Sequence, residues 1–222
     1  MCGRFTLTSD PNTIQAAFPG VSVPSEMTPR YNVAPTQPVA VIPNDGNKAV
    51  DFFVWGLIPS WAKDPKIGSR MINARSETLA EKPSFKAAYR RRRCLILADG
   101  FYEWQKRPGV KSKVPHYLRL ESGEPFGLAG LWERWFSPDG SEIKSCTIIT
   151  TEPNELVEKV HNRMPVIMHP GAYDDWLDPE ERDPESLQHL LAPFPAIEMV
   201  AYPVSTMVNS PANDVPELVT PA

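Results

Sequence analysis

The chain has 222 residues, of which 41% are hydrophobic and 23% are charged, and its formal net charge is −4. This composition is typical of a globular protein and excludes a disordered chain, a collagen and a coiled coil. The length favours a single domain spanning residues 1–222. The 25 prolines disfavour an all-helical bundle, because a proline inside a helix costs about 3 kcal/mol. With a negative net charge, binding to a polyanion would require a local basic patch.

The predicted elements are short and follow one another at hairpin spacing. A strand is predicted at Gly3–Thr8, and a helix from Asp10-Pro11 to about Phe18, because Asp10 is a good N-cap and Pro11 suits the first turn. Residues 19–38 are predicted to be irregular. Further strands are predicted at Val39–Ile42, Ala49–Trp55, Leu95–Ala98, Tyr102–Gln105, Tyr117–Leu120, Phe126–Trp132, Ile143–Thr150, Val166–Met168 and Met199–Tyr202, and helices at Ser84–Arg92, Glu155–Val160, Ala172–Leu177 and Glu185–Leu191. This order predicts an α+β fold, with a mainly antiparallel sheet forming a barrel-like or sandwich core and peripheral helices.

Common cofactor, metal and membrane signatures are missing from the sequence. It contains no P-loop, no Gly-x-Gly-x-x-Gly and no Gly-x-Ser-x-Gly, and His161 and His169 have no Cys-x-x-Cys pair near them. We therefore expect neither a cofactor nor a metal. The absence of a long apolar run and of a signal peptide favours an intracellular, cytoplasmic protein that does not contact membranes. Cys94 and Cys146 lie in apolar runs and are predicted to be core residues.

Cys2 has the most specific chemistry in the chain. Removal of Met1, which is expected before a small residue, leaves Cys2 with a free α-amine next to its thiol. The amine, with a pKa of about 8, condenses with an aldehyde to a Schiff base, and the neighbouring thiol then closes a five-membered thiazolidine ring. The alternative interpretation is a terminal residue without a function.

Several other polar residues lie in segments rich in turns and aromatic side chains. Glu103, between two aromatic residues of a predicted strand, either points into a polar pocket or lies at a sheet edge in water. His161 is either a functional or a structural histidine. The segments are Cys2-Gly3-Arg4, Tyr31-Asn32-Val33-Ala34-Pro35, Trp55–Trp61, Asn73–Thr78, Asp99–Trp104 and His161–Pro165.

Taken in order, these motifs resemble the SOS-response-associated peptidase (SRAP) family, the abasic-site processing proteins. The likeness runs from Cys2-Gly3-Arg4-Phe5 to Pro203-Val204-Ser205 and Val208-Asn209-Ser210. It implies a sensor and shield of abasic sites in single-stranded DNA that forms a thiazolidine crosslink through Cys2. It also implies lyase-like activity and an autopeptidase activity that removes Met1. We expect a monomer that is associated with the nucleoid when it is bound to DNA.

The resemblance also implies which residues surround Cys2. Asn73 would hold either an oxygen of the sugar or the backbone of Cys2, Glu103 would transfer protons while the Schiff base and the ring form, and His161 would protonate the opened sugar or assist reversal. The phosphate contacts expected are Arg4, Arg75 and Arg163, and the base-stacking residues expected are Trp61 and Trp104. Asn162 departs from the family pattern, which has an acid after the histidine, and the Arg90–Arg93 run matches no family motif.

Two other functions remain open from the residues. One is a cysteine peptidase that uses Cys2 with His161, and the other is a non-covalent reader of single-stranded or modified-base DNA. An oligonucleotide with an abasic site separates them, because only the crosslinking protein gives an adduct that survives heat and detergent.

Overall fold

The computed structural model describes residues 2–109 and 112–222, and its strands form two sheets. The strands are β1 (Phe5–Leu7), β2 (Arg30–Val33), β3 (Pro38–Pro43), β4 (Asp51–Trp55), β5 (Asn73–Arg75), β6 (Arg93–Ala98), β7 (Gly100–Gln105), β8 (Val114–Leu120), β9 (Phe126–Phe136), β10 (Glu142–Thr151), β11 (Met164–Pro165), β12 (Ile167–Met168) and β13 (Met199–Pro203). The α-helices are α1 (Pro11–Ala17), α2 (Lys86–Arg91), α3 (Tyr173–Trp176) and α4 (Pro184–Leu187). The 3-10 helices are Pro65–Arg70, Ser76–Thr78, Val157–Lys159, Pro170–Ala172, Gln188–Leu191, Ala196–Glu198, Thr206–Asn209 and Pro216–Val219.

Five strands of the larger sheet close into a barrel. Their order is β10, β4, β3, β6 and β9, and β9 pairs again with β10. The β10–β4 pairing is parallel, whereas the other pairings around the barrel are antiparallel. The α+β class and the mainly antiparallel, barrel-like core predicted from the sequence are thereby confirmed.

The second sheet has the order β13-β8-β7-β1-β2 and shares a core with the barrel. Strand β6 contributes to the core on both sides of the barrel wall, because its side chains are buried on both faces. Cys94 and Ile96 lie in the cluster that contains Phe5 of β1, whereas Leu95 and Leu97 lie in the cluster that contains the helices. A strand covered on both faces has a nearly continuous apolar sequence, as Cys94–Ala98 does.

Two expectations about local structure are wrong. Residues 19–38 are not wholly irregular, since Arg30–Val33 forms β2 against β1. The helix expected at Glu155–Val160 is a single 3-10 turn, Val157–Lys159. Its start is fixed by the Asn154 Oδ1 atom, which accepts hydrogen bonds from the backbone N–H groups of Leu156 and Val157. Pairing with β1 therefore makes Arg30–Val33 a strand, and the Asn154 cap goes with a short 3-10 turn where the sequence pattern predicted a longer helix.

Three arginines of the Arg90–Arg93 run pack against the acidic segment that follows α3, and Arg92 pairs with Glu133 of β9. Arg93 is fully buried, and its guanidinium donates to the carbonyl oxygens of Tyr89, Arg90, Trp176, Asp178 and Glu180. Arg90 and Arg91 both pair with Glu181. Burial lowers the pKa of Arg93 to about 10, and it remains a cation at neutral pH. The contacts of these arginines explain the run as part of the fold.

None of the helices in the two described ranges has the length and apolar character needed to cross a bilayer.

Candidate active site

Cys2 is held beside the second sheet by the pairing of β1 with β7. Phe5 lies opposite Phe101, and the backbone N–H of Tyr102 donates to the carbonyl oxygen of Arg4 at 2.9 Å. Cys2 is 0% exposed and belongs to the cluster shared by the barrel and the sheet. This pairing places the start of the chain next to β7, the strand that contains Glu103.

Asn73 reaches Cys2 from the other sheet. Strand β5 pairs in parallel with β10, with Asn73 opposite Ile148. The Asn73 Nδ2 atom donates to the Cys2 carbonyl oxygen at 2.8 Å, whereas Asn73 Oδ1 is buried and has no hydrogen-bond partner among the described residues. One end of this amide therefore fixes the Cys2 backbone, and the other end is an acceptor available to a bound molecule.

Glu103 and His161 complete the cluster. Glu103 is 2% exposed, which excludes the alternative of an edge-strand glutamate in water. The His161 Nε2 atom lies 3.8 Å from Glu103 Oε2. The His161 Nδ1 atom lies 3.1 Å from the Arg163 backbone nitrogen and 3.3 Å from the Arg163 carbonyl oxygen, so the backbone of Arg163 orients the ring with Nε2 toward Glu103.

Burial controls the ionisation of all three titratable groups. It raises the pKa of the Glu103 carboxyl and lowers the pKa of His161. It also raises the pKa of the Cys2 thiol well above its usual range, and the negative charge of Glu103 adds to the effect. At neutral pH the thiol is therefore protonated and the histidine mostly neutral. The raised pKa makes Glu103, once it is ionised, a stronger base than an ordinary glutamate.

Two of the predicted arginines meet at the end of β10. Arg75 lies opposite Thr150 in the β5–β10 register and is exposed. Arg163 donates from Nη2 to the Thr150 carbonyl oxygen at 2.6 Å. The same guanidinium binds both carboxylate oxygens of Glu77, with Nη2 and Oε2 3.0 Å apart.

Arg4, the third predicted arginine, forms its hydrogen bonds within the protein. Its Nη1 atom donates to Asn32 Oδ1 at 2.9 Å and to the Val208 carbonyl oxygen at 2.8 Å, and Nη2 donates to the Asn209 carbonyl oxygen at 3.4 Å. Asn32 in turn donates to the carbonyl oxygens of Val208, Ser210 and Asn213. Arg4 thus joins the strand that follows Cys2 to the C-terminal segment, and its contact with phosphate stays a prediction.

The two predicted stacking residues differ in exposure. Trp61 is 58% exposed. Trp104 is half-buried, and its Nε1 atom donates to Asn209 Oδ1 at 2.7 Å. Only Trp61 therefore presents most of its ring to solvent.

Sequence reasoning missed four residues that contact or pair with the predicted site residues. Glu77 and Asn32 lie in motifs that the sequence singles out, but their partners are distant in the chain. Asn209 lies in the C-terminal motif, and His116 lies opposite Glu103 on β8. Their hydrogen bonds and pairing arise from tertiary contacts that no local pattern encodes. Within residues 2–109 and 112–222, no group of three or more His, Cys, Asp or Glu side chains is arranged to hold a metal ion.

Solved structures share this architecture. A protein from Bacteroides thetaiotaomicron has 27% sequence identity and a TM-score of 0.88, with complete coverage of both chains. A protein from Bordetella bronchiseptica has 28% identity and a TM-score of 0.78, covering 92% of this chain and 100% of its own. These likenesses define the fold class.

The sequence comparisons define the family. The model for the SOS response associated peptidase (SRAP) family matches residues 1–211, and the chain belongs to that family. It is 51% identical to the "Abasic site processing protein YoqW" of Bacillus subtilis over 99% of each chain. It is 33% identical to the "Abasic site processing protein HMCES" of Rattus norvegicus, over 90% of this chain and 67% of the relative.

Proposed function

We propose that this protein recognises abasic sites in DNA and joins the ring-opened sugar covalently to Cys2. The names of its relatives support the substrate. The observation that carries the chemistry is the setting of Cys2. Cys2 is completely buried, and its carbonyl oxygen accepts a hydrogen bond from Asn73. The negative charge of the buried Glu103 contributes to the raised pKa of its thiol.

The reaction needs only groups present on the protein and the DNA. Removal of Met1 gives Cys2 a primary amine, which adds to the C1′ aldehyde of the opened sugar and loses one water to form a Schiff base. The thiol sulfur then adds to the carbon of the C=N bond, and the thiol proton moves to the nitrogen. The product is a thiazolidine, and one water is released overall. Met1 itself lies outside the described residues.

Glu103 and His161 differ in the protons they can handle. The Glu103 carboxylate, whose pKa is raised by burial, is suited to accept a proton from the Cys2 ammonium or thiol. His161, whose Nε2 atom faces Glu103, is suited to donate a proton to the sugar oxygen as the ring opens, or during reversal. The unpaired Asn73 Oδ1 is suited to accept a hydrogen bond from a sugar hydroxyl.

The DNA would be held mainly through its backbone. We assign Arg4, Arg75 and Arg163 to phosphates flanking the lesion, and Trp61 and Trp104 to neighbouring bases. Stacking on aromatic rings is tolerant of sequence and requires unpaired bases. The proposed partner is therefore single-stranded DNA with an abasic site, bound inside the cell.

A general cysteine peptidase is the weaker candidate. Peptidase chemistry uses a thiolate, which a lowered pKa favours, whereas burial and Glu103 raise the pKa of Cys2. Removal of Met1 is the only peptide cleavage that the crosslinking reaction requires.

A denaturing gel tests the proposal. Wild-type protein is incubated with an oligonucleotide that contains one abasic site, with the same oligonucleotide containing an intact base, and with a generic peptide. We expect a heat-stable adduct with the abasic oligonucleotide only. Cys2→Ala should give none, while Cys94→Ala, which removes a different buried thiol, should retain the adduct. Equal binding of intact DNA without any adduct would favour a non-covalent reader, and peptide cleavage that depends on Cys2 would favour the peptidase.

A further inference from the structure

Gln105 joins the strand of Glu103 to the segment of His161. It is the last residue of β7, and its Nε2 atom donates to the Lys159 carbonyl oxygen at 2.7 Å. Side chains two residues apart on a strand point to the same side of the sheet, so Gln105 and Glu103 share one face. Gln105 therefore connects that face of β7 to the residue two positions before His161.

The Gln105 amide is held at both of its ends. The Arg107 Nε atom donates to Gln105 Oε1 at 3.0 Å. An arginine can only donate and a carbonyl oxygen can only accept, so these two contacts fix which end of the amide is oxygen and which is nitrogen. The pairing of Gln105 with Val114 holds the backbone of the same residue in the sheet. The hydrogen bond to Lys159 therefore starts from an anchored side chain.

The segment before His161 is fixed at its start by other contacts. The Asn154 Oδ1 atom accepts the backbone N–H groups at the start of the 3-10 helix Val157–Lys159. Val157 is buried in the core, and its carbonyl oxygen accepts the His161 backbone N–H at 2.8 Å. The core and the Asn154 cap therefore hold the beginning of the segment, and Gln105 holds its end.

The position of His161 relative to Glu103 depends on this hydrogen bond. The His161 Nε2 atom lies 3.8 Å from Glu103 Oε2, and the His161 ring is half-buried. His161 follows Lys159 by two residues, a span of at most about 7 Å, so a movement of the Lys159 carbonyl displaces the histidine. A group that transfers a proton acts within about 3 Å of its partner or through one water, so a small loss of position lowers the rate.

We infer that Gln105 is a positioning residue for His161, and that its hydrogen bond to Lys159 holds the histidine at its distance from Glu103. The inference rests on the proposed function for the reaction in which His161 takes part. An amide neither gives nor takes a proton at neutral pH, so Gln105 acts through the position of His161. Loss of its hydrogen bond slows proton transfer by His161 without changing how tightly the DNA binds.

The test compares side chains that keep or lose the donor. Gln105→Met keeps the length of the side chain without an N–H group, and Gln105→Lys restores a donor. Gln15→Met is the matched control, because the Gln15 Nε2 atom also donates to a backbone carbonyl oxygen, that of Phe18 at 3.5 Å. Gln105→Met is also combined with His161→Ala.

Two measurements are made on each variant. Adduct formation is followed at increasing concentrations of an abasic oligonucleotide, which gives the maximal rate and the half-saturating concentration. Hydrogen exchange of residues 157–163 is measured by mass spectrometry on the protein without DNA. The exchange reports on the segment of His161 whether or not an adduct forms.

We expect Gln105→Met to lower the maximal rate by about two- to tenfold, the range that corresponds to one neutral hydrogen bond, and to leave the half-saturating concentration unchanged. Gln105→Lys should restore most of the rate, and Gln15→Met should match wild type. In the presence of His161→Ala, Gln105→Met should lower the rate no further, because both changes act on the same group. Hydrogen exchange of residues 157–163 should be faster in Gln105→Met than in wild type.

A wild-type maximal rate in Gln105→Met would overturn the inference. An equal loss of rate with and without His161→Ala would also overturn it, because Gln105 would then act through another group. A change confined to the half-saturating concentration would do the same, since it would assign Gln105 to the binding of DNA. If the wild type forms no adduct, the proposed function fails, and the hydrogen exchange of residues 157–163 still decides whether Gln105 holds the segment of His161.

Discussion

Replacing Glu77 with glutamine is expected to tighten the binding of DNA. In the structure both carboxylate oxygens of Glu77 bind the guanidinium of Arg163, and this contact lowers the pKa of Glu77, which stays ionised at neutral pH. If Arg163 contacts a DNA phosphate, the phosphate has to displace Glu77 first. The carboxylate therefore competes with the DNA for the same guanidinium.

The size of the effect follows from exposure. The Glu77 side chain is 52% exposed and that of Arg163 is 16% exposed, so solvent screens the pair, and its strength is about 0.2–1 kcal/mol. Removing the competing charge should then tighten binding by about 1.4- to 5-fold. The gain should be larger at low salt.

The assay is fluorescence anisotropy with a single-stranded oligonucleotide that contains a stable, unreactive abasic analogue. Glu81→Gln is the matched control, because Glu81 is an exposed glutamate in the same stretch. Arg163→Gln should weaken the binding of DNA. When Glu77→Gln is added to Arg163→Gln, the affinity should change no more than when Glu81→Gln is added. This double-mutant cycle measures the coupling between Glu77 and Arg163. Weaker binding of Glu77→Gln than of wild type would refute the competition and would indicate that Glu77 positions Arg163 for the phosphate.

Four further predictions address the ionisation of Glu103, its effect on stability, the C-terminal segment and the arginine run. Because burial raises the pKa of Glu103, the rate of adduct formation should fall on acidification with a midpoint above the ordinary value of about 4.3; Glu103→Gln should be slow and lack this acid limb in a pH-rate profile. Because its pKa is raised in the folded protein, ionised Glu103 destabilises the folded state at any pH above the unfolded-state pKa. Glu103→Gln should therefore be at least as stable as wild type in urea unfolding at pH 7. A large loss of stability in this variant would contradict the assignment. Asn32→Ala removes the acceptor of Arg4 and three bonds to the C-terminal segment, and should lower stability by about 2–4 kcal/mol and speed limited proteolysis after residue 203. Arg93→Met leaves buried carbonyl oxygens without donors and should cost about 3–5 kcal/mol in urea unfolding with little change in the salt slope of DNA binding.

Local signals were sufficient for much of the fold. Asp10 and Pro11 predict the start of α1, and in the structure Asp10 accepts hydrogen bonds from the backbone N–H groups of Asn12 and Thr13. The apolar run Cys94–Ala98 predicts a buried strand, and β6 is buried on both faces. Closure of the barrel was beyond such signals, because it depends on the parallel pairing of β4 with β10, which are distant in the chain. Strand β2 was missed for the same reason, since its backbone is held by β1 and by Asp214.

The candidate site shows the same division. The chemistry of a terminal aminothiol identifies Cys2 as a candidate from the sequence, and the position of Glu103 on an alternating strand identifies Glu103. Their proximity to each other, and the contact of Asn73 with Cys2, require the pairings β1–β7 and β5–β10. The competition of Glu77 for Arg163 has no sequence signal, because a glutamate after a strand looks like any solvated charge. The single-domain organisation and the roles of the site residues stay predictions.

Intact mass spectrometry of the adduct tests the central claim most directly. Wild-type protein is mixed with an abasic oligonucleotide without a reductant, and the mass of the adduct is measured before and after heating. The thiazolidine account predicts a mass equal to the protein without Met1 plus the oligonucleotide minus one water, stable to heating. Cys2→Ser should give only a Schiff base that is trapped by borohydride. A heat-stable adduct formed by Cys2→Ala, or a wild-type adduct that still contains Met1, would contradict the account.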